Sequence, residues 1–150
     1  MNRIHMLRPD MPSFELCKRT YVQRVGGKPK GFWYGIDNSW VDWCQSEMPE
    51  WVSPHRYQVE IDMSKILVVD TVEKMHEINK RAVNTDEYFY RKNYDIDWPY
   101  FEKMGYKGIE IPTYMYQLRL DKDFFWYYGW DVASGCIWDT NIIKSITKLQ

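Results

Sequence analysis

The sequence has no long apolar run, no cysteine framework and no excess charge of one sign. No stretch approaches the roughly 18 apolar residues that a membrane-spanning helix needs. The N-terminal segment MNRIHMLRPDMP lacks the apolar core of a secretory signal. A cytoplasmic chain with no membrane partner is therefore expected. The three cysteines, Cys17, Cys44 and Cys136, are odd in number and far apart. That spacing argues against a disulfide framework and against a zinc site, and predicts reduced, mostly buried thiols. His5, His55 and His76 show no metal-ligand spacing, so no metal is expected. Twenty basic and 21 acidic residues leave a net charge of -1. A surface that tracks nucleic-acid phosphates normally needs a basic stripe, and the only local basic cluster is KRTYVQRVGGKPKG (residues 18–31). Its GGKPKG lacks the Gly-Lys-Ser/Thr ending of a phosphate-binding P-loop. Spacing alone suggests no Ser-His-Asp or Cys-His arrangement.

Aromatic residues are abundant instead. They make up 17% of the chain, with eight Trp and twelve Tyr. Buried Trp and Tyr need partners for their N–H and O–H groups. Such a composition fits a core with many polar tips, a ligand site with flat walls, or both.

The 150 residues suit one domain. No linker, repeat or low-complexity tract divides them, and residues 1–14 read as a mobile N-terminal segment. CKRTYVQR (residues 17–24) alternates and reads as a strand. FWYG reads as a short strand. Asp37, Asn38 and Ser39 are good helix caps, and Trp40, Val41, Trp43 and Cys44 line a helix face after them. YQVEIDM and KILVVDT read as two strands or one bent strand. A helix follows near residues 72–83, capped by Asp70 or Thr71. NTDEYFYRKNYDID (residues 84–97) reads as a short helix and loop. DWPYFEKMGY reads as a helix that starts at Asp97 and stops at Gly105. KGIEIP and ASGCIW read as strands, residues 113–130 as a hairpin or ordered loop, and IIKSITKL as a closing strand or short helix. Strands outnumber helices without regular βαβ alternation, so the expected class is α+β with mainly antiparallel pairing.

The order of these pieces resembles the ADP-ribosyltransferase-like domains of bacterial toxins and phage proteins. The matching stretches are residues 31–34 (GFWY), 59–69 (VEIDMSKILVV), 105–111 (GYKGIEI) and 136–145 (CIWDTNIIKS). The resemblance runs from about residue 17 to the end. It implies a split, mainly antiparallel β core with flanking helices and NAD in the cleft between its halves. It also implies transfer of ADP-ribose to a macromolecular acceptor, in a setting of phage–bacterium conflict. The sequence departs from the family at two places. Phe32, Trp33, Tyr34 and Gly35 replace the central Ser-Thr-Ser or His/Tyr-type positions. Ser134 stands where the late catalytic Glu would align, and the nearest acid is Asp131.

Cleaving the nicotinamide–ribose bond builds positive charge on the ribose, as in glycoside cleavage. A nearby carboxylate stabilises that charge. Asp131 is the first candidate, because Gly129, Ala133, Ser134 and Gly135 around it allow close approach. A turn-capping role for Asp131 is the competing expectation. Glu110 is the second catalytic candidate, and the competing expectation places it on a solvated strand face. Arg19, beside Tyr21 on one strand face, is the preferred phosphate or ribose ligand, with Arg24, Lys28 and Lys30 nearby. Trp33 or Tyr34, with Trp40, would wall the nicotinamide. Trp33 must face away from Phe32 and Tyr34, so one set is core and the other faces the cleft. The alternative function is a catalytically degenerate member of the same fold. It would act on a host protein as a binding module or inhibitor, through exposed Trp and Tyr. An enzyme on another nucleotide or a nucleic-acid end is a third reading.

Overall fold

Side chains alternate across a strand, so each short strand here feeds two faces of one sheet. The computed structural model describes residues 1–83 and 94–150. In chain order, β1 (Arg3–Met6) and β2 (Phe32–Ile36) precede helix α1 (Ser39–Glu47). Next come β3 (Arg56–Ile61), β4 (Ile66–Val68), α2 (Val72–Asn79) and β5 (Ala82–Val83). Then follow β6 (Asp95–Ile96), α3 (Trp98–Lys103), β7 (Gly108–Ile111) and α4 (Tyr116–Arg119). β8 (Ser134–Ile137) and β9 (Ile143–Lys148) close the chain. The main sheet has the order β4-β7-β8-β2-β1-β3-β9, and β5 pairs with β6 in a separate ladder. Its pairings are antiparallel except β4 with β7. The fold is thus α+β with a mixed, mostly antiparallel sheet.

Register assigns the faces. On one, Phe32, Tyr34 and Ile36 of β2 pack with Val59, Ile61, Ile66, Ile137 and Ile143. On the other, Ile109, Ile111, Cys136 and Trp138 meet Met75 and Ile78 of α2 and Trp98 and Phe101 of α3. Trp33 is partly buried against this second cluster. α1 sits close to β2 because residue 35 is glycine. A Cβ there would lie 2.9 Å from Trp40 Cβ.

β1 corrects the expectation of a mobile start. Residues 3–6 form a strand inside the sheet, between β2 and β3. The β1–β2 ladder is short: Arg3 pairs with Ile36 and Ile4 with Gly35. Beyond Ile4 the ring of His5 takes over. Its Nδ1 lies 2.6 Å from the Trp33 carbonyl, where a longer ladder would have used backbone. Residues 17–24 do not form the expected strand. Thr20 makes an isolated bridge to Asp139, and Thr140 holds Arg19 through its hydroxyl and backbone. Residues 113–130 contain α4 and helical turns at Lys122–Gly129 rather than a hairpin. Most of NTDEYFYRKNYDID lies outside the described residues, and its Asp95 and Ile96 form β6.

Candidate functional site

A cavity of about 280 Å³ opens where β1 leaves β2. α1, β1, β2 and the segment leading into β8 supply its walls. Trp33, Trp40 and Trp130 line it, with His5, Lys28, Tyr34 and Asp131 as its titratable groups. Trp33 and Trp130 meet edge to face at 5.0 Å. Lys28 Nζ stands 5.6 Å from the Trp33 ring centroid. Lys28 is exposed and carries no hydrogen bond or ion pair among the described residues.

One wall contains an unanswered donor. Buried indole N–H groups usually find acceptors, and three here do. Trp98 donates to the Gly26 carbonyl (2.9 Å), Trp126 to Asn79 (2.8 Å) and Trp138 to the Tyr106 carbonyl (2.7 Å). Trp130 is 1% exposed, lines the cavity, and its Nε1 has no acceptor among the described residues. Leaving such a group unmatched costs about 1–3 kcal/mol. Nε1 itself exposes less than 1 Å² of surface, so an acceptor entering the cavity reaches it only when the wall shifts.

Asp131 is partly exposed and faces Arg119 Nη2 at 3.6 Å. Arg119 in turn lies 5.2 Å from the Tyr128 ring. The contact is loose enough to leave the carboxylate available, and it keeps a cation beside it. Cys44, buried at the base of α1, has its thiol pushed up by burial and by the Asp131 charge. Burial pushes the Cys136 thiol well up. Both thiols are therefore poor nucleophiles. His5 is held below the usual imidazole range by burial, against a smaller opposing effect of the Trp33 carbonyl. A neutral ring that donates from Nδ1 leaves Nε2 as an acceptor.

Glu110 is not in this cavity, and the expectation of a solvated strand face does not hold. It is 1% exposed rather than solvated. Arg3 Nε and Nη2 donate to its two oxygens at 2.6 and 3.2 Å, and the Tyr34 hydroxyl donates at 2.9 Å. The side chains reach one another across four strands because residue 135 is glycine. Glu110 pairs with Gly135, and Gly135 with Tyr34. A Cβ on Gly135 would overlap the Tyr34 ring. Burial and then the Glu110 carboxylate hold the Tyr34 phenol well above its usual range. Tyr34 borders the cavity, but its ring serves this network on the opposite face of β2.

Arg19 and Tyr21 also lie elsewhere. The Arg19 guanidinium covers the Tyr21 ring at 4.2 Å. Tyr21 lines a neighbouring cavity with Phe14 and Cys17, which shares only His5 and Met6 with the first. The structure thus gathers Asp131, Trp33 and Trp40 from the residues expected in the site, with Tyr34 at the border. Lys28, expected among the phosphate donors, joins them together with Trp130, and the structure adds His5. An expectation of mobility for residues 1–14 hides His5. The alternation of RIHM before a loop was the available signal.

Among the described residues no group of three or more His, Cys, Asp or Glu side chains is placed to hold a metal ion. No helix of the described residues is long and apolar enough to cross a membrane. Protein-family models, curated proteins and solved structures yield no match to the chain.

Proposed function

We propose that this cavity binds the nicotinamide end of NAD and that the protein is an ADP-ribosyltransferase. The indole-walled cavity with the buried, unpaired Trp130 N–H just behind its surface carries the reading, since flat walls suit a flat ligand and a small shift of the wall would offer that N–H to an acceptor on it. The nicotinamide carboxamide has that shape and that acceptor. The seven strands form one sheet rather than two halves, but its β1–β2 ladder is short at the cavity, which leaves room for a ligand there.

In the proposed reaction the bond between ribose C1′ and the nicotinamide nitrogen breaks. Nicotinamide leaves with the electron pair. Asp131 stabilises the positive charge that develops on the ribose. A nucleophilic group of the macromolecular acceptor bonds to C1′ and gives up its proton. Lys28, which makes no hydrogen bond or ion pair among the described residues, takes the place expected of Arg19 as the cation for the phosphates. Trp33 and Trp40 wall the ring. Fluorescence titration of the folded protein tests the binding step. NAD should quench the cavity indoles saturably, nicotinamide should compete, and Trp130→Phe should weaken binding by about five- to tenfold. Absence of quenching by both compounds would overturn the reading.

A further inference from the structure

We propose that the tryptophan shelf beside the cavity docks a cationic peptide segment of a partner protein. Trp40 and Trp43, one turn apart on α1, stack at 5.0 Å with their planes 8° apart. Trp51 lies 6.2 and 6.3 Å from them and is 46% exposed. The groove alongside runs over Met6, Leu7, Pro9, Trp40 and Trp51. Met6 and Trp40 line both groove and cavity, so the two adjoin.

Charge selects the occupant. Residues 31–54 contain Asp37, Asp42, Glu47 and Glu50 and no Lys, Arg or His. Asp37 accepts the Asn2 backbone N–H. The other three make no ion pair among the described residues. Glu47 stands in the last turn of α1, which holds no basic residue. A helix dipole is already negative at that end, where a cation is the stabilising charge. Arg8, the cation lining the groove, is paired with Asp10 at 3.6 Å. The negative potential around the indoles is therefore left for a partner to neutralise. A guanidinium or ammonium over the exposed Trp51 face gains cation–π attraction and the pull of Glu47 and Glu50. A nucleic acid would be repelled, and a purely apolar segment would desolvate the carboxylates without compensation. The surface does not depend on what fills the cavity.

Calorimetric titration with hexa-arginine amide tests this, with hexa-glutamate as the counter-probe. Hexa-arginine should bind saturably and hexa-glutamate should not. Trp51→Ala and the double variant Glu47→Gln/Glu50→Gln should each weaken binding by about two- to fivefold. Glu73→Gln/Glu102→Gln, with the same change in net charge, should leave it unchanged. Circular dichroism checks the fold of each variant, and Trp51 is exposed enough to be replaced without loss of core. Equal weakening in both double variants, or no saturable binding, would overturn the proposal. So would sedimentation showing a dimer that Trp51→Ala converts to monomer, because a second copy would then cover the shelf.

Discussion

Asp131 and His5 border the same cavity with different partners. Asp131 faces Arg119 across 3.6 Å, in a contact open to water. Replacing it should cost little stability, since exposed pairs contribute about 0–1 kcal/mol. Under the proposed chemistry Asp131→Ala should lower nicotinamide release by a hundredfold or more, an effect of the size removed with one transition-state electrostatic group (about 3 kcal/mol). Chromatographic assay of free nicotinamide checks this, with an unchanged melting temperature as the control. For His5 the expectation concerns pH. Its folded pKa lies below the ordinary value, first because of burial. The unfolded chain binds the proton near pH 6.5, while the folded chain resists it. Stability is thus fully present above about pH 6.5 and falls as the pH drops from there through the folded pKa. Urea unfolding at pH 7.5 and 5.5 should show this loss, and His5→Gln should make it smaller. An identical loss in the variant would remove His5 as its source.

At the scale of elements, the network of Arg3, Tyr34 and Glu110 ties β1, β2 and β7 together over the bare backbone of Gly135. Arg3→Ala leaves a buried carboxylate without its cation and should destabilise by about 3–5 kcal/mol, measured by urea denaturation. Arg3→Met with Glu110→Leu and Tyr34→Phe should recover much of that loss, because neither a charge nor the buried hydroxyl that Glu110 accepts from is left unpaired. Gly135→Ala should cost about 1–3 kcal/mol by displacing the Tyr34 ring. These elements also show what the sequence made legible. β2, β3, β7, β8 and β9 follow from apolar patterns that agree with their tertiary surroundings, and α1 starts where expected although Asn38 makes no capping side-chain bond and Asp37 and Ser39 bond to Asn2 and Ala133 instead. Residues 17–24 alternate as well, but their neighbour is the Thr140 turn, so bonds to that turn replace a ladder. Asp131 could be found from its small neighbours. Glu110 read as a solvated position because its Arg3 partner is 107 residues away in sequence. Nothing local announces such a partner.

For the whole molecule, the short ladder between β1 and β2 sets the geometry. One strand joins the β4-β7-β8-β2 part of the sheet to β3 and β9, and the cavity lies at that joint. The tryptophan shelf lies next to it on α1 and the turn at Pro49–Trp51. A ligand in the cavity and a partner on the shelf would meet at Trp40. If so, a saturating cationic peptide should change the affinity of the cavity for its ligand, and linkage requires the reciprocal change. The proposed chemistry is tested most directly with NAD labelled in its adenosine half, incubated with the folded protein and a bacterial lysate. The expected result is free nicotinamide with label on a macromolecule, both lost in Asp131→Ala. Intact NAD with unlabelled macromolecules, from protein shown to be folded, would contradict it.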